Sequence, residues 1–575
     1  MAEHDLVVRG GTVIDGTGAD ARTADVAIDG DRITEVGKVS GTGVRELQAD
    51  GLLVTPGIVD IHCHYDGQAT WDSRLQPSSW HGVTTAVMSN CGVGFAPVRT
   101  SDQDRLIELM EGVEDIPGAA LHEGLSWKWK TFAEYLEAVD RLPHDIDVGA
   151  QLPHGALRLH VMGERGANRE PATADDIAQM AVIAAEAMEA GALGFTTSRT
   201  LNHRSSKGEP TPSLTAEADE LVGIANAMGK VGKGVLQVVS DFIDLDHEFG
   251  IFRRMSEESG RPISMSLAQS PLKPGDYREV LDRITKANAD GVVMRAQVAA
   301  RGVGLLFGLQ CTLNPFMVNP IYGEIAELPL AERVAIMRDP SFKAKLLAEE
   351  SDDKLKGRLG GSLIKRFERM FEFADPPDYE PPMSEGIEAR ASRLGITPQE
   401  LAYELMLADD GKAMLYVPLL NYAEGNLEAV GEMMAHEFSV PGLSDGGAHV
   451  GTICDGSFPT TWLRLWGRDR DHGRMTLPFL VQRHTSGTAR TVGLLDRGVL
   501  APGYRADVNL IDFERLQERR PEMHFDLPAG GKRLLQRADG YVATLVAGQV
   551  TYESGVATDA LPGRLIRGAK PAPTA

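Results

Sequence analysis

Cysteine is scarce in this chain. Four residues in 575 (Cys63, Cys91, Cys311 and Cys454) are too few to brace a protein of this size with disulfides. Long apolar runs are missing as well: no stretch of about 18 uninterrupted apolar residues offers a membrane-spanning helix. The opening MAEHDLVVRGGTVIDG carries neither the basic nor the apolar segment of a secretory signal, so a reducing cytoplasm is the expected compartment. Positive charge is in deficit. With 58 Lys and Arg against 82 Asp and Glu, the formal net charge is −24. Such a field repels phosphate backbones and anionic lipid, so neither nucleic acid nor a membrane surface is expected as a partner. Low-complexity sequence is confined to the terminal KPAPTA, and no repeat is found. What remains is 42% hydrophobic and 24% charged, the balance of a globular protein with a large core.

Both ends of the chain read as β. DLVVRGGTVIDG, ADVAIDGDRITEVG and LLVTPG are short β-branched runs punctuated by glycine turns, and so are YRADVNLIDF and YVATLVAGQVTYESG some 440 residues later. Neither set buries enough surface alone, so one β-sandwich module built from residues 1–55 and 490–562 is expected. Between them, VTPGIVDIHCH, VTTAVMSNCG, IDVGAQLPHG, ALGFTTS, GVLQVVSD, PISMSLAQ, GVVMRAQVA and VPGLSDGG each look like a buried parallel strand ending in polar residues. Several are separated by amphipathic segments such as ADDIAQMAVIAAEAMEAG. Eight such runs predict an α/β protein with a (β/α)8 TIM-like barrel over 56–489, with an open doubly wound sheet as the other arrangement. Residues 311–385 break the rhythm with charged, helical sequence. They are expected as a helical insertion, either solvated or forming a lid at the barrel mouth. Residues 563–575 are expected as a flexible tail.

The strongest chemical signal is IVDIHCHYD. Side chains alternate along a strand, so His62 and His64 share one face and Cys63 takes the other. At the C-terminal end of a first barrel strand, two imidazoles on one face can chelate a metal, or they can be a hydrogen-bonded structural pair. The second strand ends in SNCGVG, which puts Cys91 at the matching edge. A buried cysteine is commonly an inert small hydrophobe, yet this one is set for a thiolate ligand. The eighth run ends in GLSDGGAH, where Asp445 precedes two glycines; a turn-forming Asp-Gly is the plainer reading.

VTPGIVDIHCHYD, SNCG, LPHGALR and GLSDGG, together with the β-module, resemble the D-aminoacylase (N-acyl-D-amino-acid deacylase) branch of the amidohydrolase superfamily, over about residues 5–560. The resemblance implies a zinc-dependent amidase that deacylates an N-acyl amino acid or similar small amide through a metal-bound hydroxide. It implies metal binding by His62, His64 and Cys91, and it makes Asp445 the proton carrier and a further ligand. A small-molecule amide is the implied partner, and a homo-oligomer is compatible with it.

The departures are equally specific. The family's histidines at the ends of the fifth and sixth strands have no counterpart. Gln237 or Val238 stands at the first place, and Leu267 or Ala268, with Gln269 nearby, at the second. One zinc ion rather than two is therefore expected. The family's Tyr-Pro-Tyr stretch is replaced by MRAQVAARG, where Arg295 or Arg301 is a candidate for polarising the carbonyl or binding a substrate carboxylate. His154 and Arg158 in LPHGALR are candidates for a substrate contact or for anchoring a loop. His203 in a polar loop, and similarly His449, can stand in for a missing ligand or be solvated. Gln237 and Gln269 are candidate contacts or structural amides, and Trp127 and Trp129 a cover for an acyl group or part of the core. Two other readings stay open. One is a cyclic amide or imide hydrolase of the same superfamily, whose usual bridging lysine has no evident match where Cys91 stands. The other is a catalytically silent barrel protein.

Overall fold

Why the chain alternates strand and helix is clear at single boundaries. The helix Ala174–Ala190 starts where the Thr173 side chain accepts from Asp176 N–H, with the reciprocal bond also made, and ends at Gly191 with φ +113°. A computed structural model describes residues 2–349 and 363–574. Residues 350–362, inside the expected insertion, and the end residues 1 and 575 lie outside the described residues.

The parallel strands are, in chain order, Ile58–Asp60, Val83–Met88, Asp147–Ala150 continuing into Leu152–Pro153, Gly194–Arg199, Val235–Ser240, Ile263–Ser266, Met294–Val298 and Ser439–Pro441. Each pairs in parallel with the next; the third reaches the second through Asp147–Ala150 and the fourth through Leu152–Pro153. Just past the first and eighth strands, Cys63 and Gly446 form a parallel bridge, so the strand order returns on itself. The helices Ala218–Val231, Leu245–Ser259 and Asp276–Ala289 follow the fourth to sixth strands. Each turns buried apolar residues inward, such as Leu221, Ile224 and Met228 of the first.

A separate nine-stranded sheet takes strands from both ends of the chain. Its two halves are joined where Leu53–Pro56 pairs antiparallel with Val508–Ile511. Leu6, Val8, Val26, Ile28, Val508, Leu510 and Leu545 form its apolar core, each fully buried side chain contributing roughly 1.5–3 kcal/mol.

Two expectations need correction. The excursion between the seventh and eighth strands is wider than 311–385 and is not only helical. Val303–Phe307, Phe371–Glu372 and Leu415–Leu420 make a small antiparallel sheet within it. Leu305, Phe307, Tyr403, Met406 and Leu415 give it an apolar cluster of its own; its short strands were hidden by the charged helices between them. The stretch expected as a flexible tail is held down instead. Arg564 N–H donates to the buried Asp147 carboxylate at 2.9 Å, Ile566 pairs with Val148, and Ile566 is buried among Val59, Val87 and Leu494. A buried carboxylate and a packed apolar cluster together hold Arg564 and Ile566 in place.

Candidate metal centre

The first strand ends at Asp60, and the chain beyond it is stitched to the loop after the eighth strand. Asp445 N–H donates to the His62 carbonyl at 3.0 Å and His64 N–H to the Gly446 carbonyl at 2.8 Å. Ser444 Oγ donates to the Asp60 carboxylate at 2.5 Å. Close approach explains the second glycine of SDGG: Gly447 has φ +88°, and a Cβ there would meet the Tyr65 ring at 2.7 Å. Cys91, Asp445 and His449 all carry φ near +50° (+56°, +48° and +50°). Such backbone is costly for residues with a side chain and concentrates at functional sites.

These constraints bring four side chains from three strand ends together. Ligand atoms of the buried His62, His64 and Cys91 lie within 4.8 Å of one another. His62 Nε2 is 3.3 Å from Cys91 Sγ and 3.3 Å from Asp445 Oδ1, and His64 Nε2 is 3.6 Å from the same oxygen. Both ring nitrogens of His64, Asp445 Oδ1, Glu114 Oε1 and His449 Nδ1 are buried without a hydrogen-bond partner among the described residues. Orphaned donors and acceptors converging in one place are expensive unless something charged sits between them. Imidazole, thiolate and carboxylate together suit a zinc-like cation.

The electrostatics agree. Burial opposes ionisation of Asp445, yet the close approach of the His64 ring and the charges of His62, His64 and His449 hold its carboxyl well below the usual range. Burial works against a charged His64 too, but Glu114, Asp445 and Cys91 raise its pKa well above the ordinary value. The site thus draws positive charge. Burial pushes the Cys91 thiol up to about 12, so its sulfur ionises only with a cation beside it.

The other sequence candidates divide. His203 reaches the site: its Nδ1 is 2.8 Å from Ser198 Oγ, and burial, followed by the charges of His449 and His64, lowers its pKa to about 3. His449 lies beside it, Nε2 3.5 Å from Glu114 Oε2 and 3.9 Å from Asp445 Oδ2. Gln237 touches Cys91 through its backbone, accepting from Cys91 N–H at 3.3 Å. Gln269 is spent on the protein, its Oε1 accepting from Ala423 N–H at 3.1 Å and its own N–H donating to Asn421. His154 and Arg158 converge on the buried Glu220 at 2.8 Å and 2.7 Å, which makes them loop anchors rather than substrate contacts. Trp129 is core, its Nε1 donating to the Phe95 carbonyl at 2.8 Å, and Trp127 packs edge-on against Phe95.

The two arginine candidates are corrected. Arg301 is 1% exposed, bonded to Ser457, Thr461 and Asp455 and stacked on Tyr379 with 3.7 Å to the ring centroid. Both terminal nitrogens of this guanidinium are spent on the protein, and its remaining Nε is itself buried, so it is enclosed by the fold rather than presented to a substrate. Arg295 sits near the start of the seventh strand, opposite the end that bears the site. It donates to Asn288 and the Met294 carbonyl, and lines a cleft with Pro262, Val293 and Arg483.

Sequence reasoning missed two residues. Gln297, between the two arginines, points at the centre: its Oε1 is 2.7 Å from His62 Nδ1, and its position near the C-terminal end of a strand was the available signal. Glu114 ends the helix Gln103–Glu114, fully buried beside Ile107, Met110 and Val113, and its Oε1 lies 3.3 Å from His64 Nδ1. Burial raises its pKa to about 7. A carboxylate on the apolar face of an amphipathic helix was the clue.

Comparison with known proteins fits this geometry. The amidohydrolase family model Amidohydro_3 matches residues 45–552. The N-acyl-D-aspartate deacylase of Alcaligenes xylosoxydans xylosoxydans is 25% identical over 525 residues, spanning 89% of this chain and 86% of the relative. Among solved structures, a D-aminoacylase with a binuclear metal centre, showing one-metal activation and second-metal attenuation, superposes with a TM-score of 0.65. It is 24% identical, over 98% of this chain and 100% of that one. The N-acyl-D-glutamate deacylase of Bordetella bronchiseptica, complexed with zinc and a phosphonate mimic of the tetrahedral intermediate, gives 0.63. It is 22% identical, over 98% and 99% of the two chains. With most of its length matched by the family model, the chain belongs to the amidohydrolase family, in the branch of the D-aminoacylases.

Proposed function

We propose that this chain deacylates an N-acyl amino acid, or a similar small amide, at a single zinc ion held by His62, His64 and Cys91 with Asp445 beside it. The scaffold we read as a (β/α)8 barrel flanked by a β-sandwich from both chain ends. The observation that carries the reading is the convergence of His62, His64 and Cys91 within 4.8 Å, with the Asp445 carboxylate 3.3 Å from His62 Nε2. Metal-dependent amide hydrolysis is the chemistry of the deacylase relatives. One ion is favoured over two because Gln237 and Gln269 stand where further imidazoles are absent, and both are engaged by the protein.

The ion, when bound, lowers the pKa of water and polarises the scissile carbonyl. The chain's own groups do the rest. Asp445, kept anionic by the imidazoles around it, accepts the proton of the attacking water as oxygen bonds to the carbonyl carbon. It then delivers that proton to the amide nitrogen as the C–N bond breaks, leaving a carboxylic acid and an amine, which exchange the remaining proton to become carboxylate and ammonium. His203, neutral and with one ring nitrogen pinned to Ser198, adds a second polar ring beside the centre. The test is a screen of N-acyl-D- and N-acyl-L-amino acids, dipeptides and cyclic imides, with zinc and with a strong chelator. Hydrolysis of N-acyl amino acids that chelation abolishes and zinc restores is expected. Turnover confined to cyclic imides transfers the site to that reaction, and turnover indifferent to chelation contradicts the proposal.

A further inference from the structure

Each of the two candidate ligand imidazoles has an acceptor oxygen behind it. His62 Nδ1 meets the amide oxygen of Gln297 at 2.7 Å, which leaves Nε2 to face Cys91 and Asp445. Behind His64 a carboxylate takes the corresponding place, at ion-pair distance rather than in a formed hydrogen bond: Nδ1 is 3.3 Å from Glu114 Oε1, and Nε2 is 3.6 Å from Asp445 Oδ1. Glu114 is 1% exposed, and its other oxygen is 3.5 Å from His449 Nε2. Its Oε1 has no hydrogen-bond partner among the described residues.

Glu114 is also held at its backbone. The His449 N–H donates to the Glu114 carbonyl, and the next residue, Asp115, turns left-handed. The Asp115 carboxylate accepts from Gly451 N–H at 3.2 Å and from Thr312 Oγ1 at 3.1 Å. The end of this helix is thereby fastened to the loop that carries Asp445. A buried carboxylate placed so firmly, between two imidazoles of one centre, is costly unless it works there.

We infer that Glu114 is a positioning residue for the metal centre: it takes the Nδ1 proton of His64, so that the Nε2 lone pair is aimed at the cation, and it holds His449 alongside. A carboxylate behind a ligating imidazole fixes the ring's tautomer and angle and raises its basicity as a ligand. The chain lacks imidazoles at the ends of its fifth and sixth strands, so its few ligands must be well oriented, and Glu114 supplies that for His64. The inference rests on the metal centre proposed above.

Chelator-competition titration of the metal-free protein with zinc tests it, comparing wild type, Glu114→Gln and Glu114→Ala. Zinc affinity is expected to fall about 10- to 100-fold in Glu114→Ala, in line with the loss of an outer carboxylate partner. In Glu114→Gln it is expected to fall about 5-fold, since the amide oxygen still accepts but carries no charge. The visible spectrum of the cobalt-loaded protein gives a second readout: Glu114→Ala shifts the bands and Glu114→Gln stays close to wild type. Zinc affinity in Glu114→Gln within about twofold of wild type overturns the inference, whether or not Glu114→Ala folds. If the wild type itself binds no zinc, the metal centre fails, and the outcome is distinct.

Discussion

The Nδ1 of His62 lies 2.7 Å from the Oε1 of Gln297, whose Nε2 donates to Ser264 Oγ at 2.9 Å. An amide oxygen only accepts, so His62 carries its proton on Nδ1 and offers Nε2 to the centre. Replacing Gln297 with leucine removes that acceptor. Zinc affinity is expected to fall about 10- to 100-fold, as read by chelator competition, while Gln297→Glu, which keeps an acceptor, retains most of it. Equal affinity in Gln297→Leu would show that the ring needs no such partner.

Asp445→Asn keeps the size of the side chain and loses the base. Turnover is expected to fall by about 10²- to 10⁴-fold, the usual worth of a positioned proton carrier, with zinc retained by His62, His64 and Cys91. Steady-state kinetics beside metal analysis of the same preparation read both effects. Unchanged turnover removes Asp445 from the mechanism.

Arg301 belongs to the fold and not to the substrate. Arg301→Met leaves Asp455 buried without its partner at 3.1 Å, and breaking such a pair costs about 3–5 kcal/mol. A lower Tm is expected, with KM unchanged in the protein that remains folded. A raised KM at unaltered Tm would return Arg301 to the binding site.

Acid is expected to weaken the contact that His81 makes with the helix Phe458–Arg464 and with Gln536. Its ring sits between Thr460 Oγ1 at 2.7 Å and the Gln536 carbonyl at 2.9 Å, and burial lowers its pKa from 6.5 to about 4. Between those values the unfolded chain takes up a proton that the folded chain refuses. Stability is therefore complete above pH 6.5 and declines as pH falls toward 4. A shift of this size is worth about 3 kcal/mol. Urea unfolding at neutral and mildly acidic pH measures the slope, and His81→Gln should reduce it. An unchanged slope in that variant locates the acid sensitivity elsewhere.

Local pattern carried a good part of this molecule into view. Strand-end motifs stand out because a polar residue closing an apolar run is visible in one stretch of letters, and His62, His64, Cys91 and Asp445 were readable that way. Contacts across the fold were not. Arg301 and Arg295 are two polar residues in one strand-and-loop segment, and only packing tells that one is sealed by Tyr379 and the other lies near the strand's start. Glu114 comes from a helix about 50 residues beyond His64 in sequence, and its role depends on how that helix end meets the Asp445 loop. The final residues looked disordered by composition, yet Asp147 and a small apolar cluster give them partners.

Elemental analysis of the chain purified without chelators, wild type beside the double variant His62→Ala/Cys91→Ala, bears most directly on the metal centre. The account predicts about one zinc per wild-type chain, as a site of this ligand type holds, and none in the variant. Absence of stoichiometric metal from the wild type, or equal metal in both proteins, would contradict it.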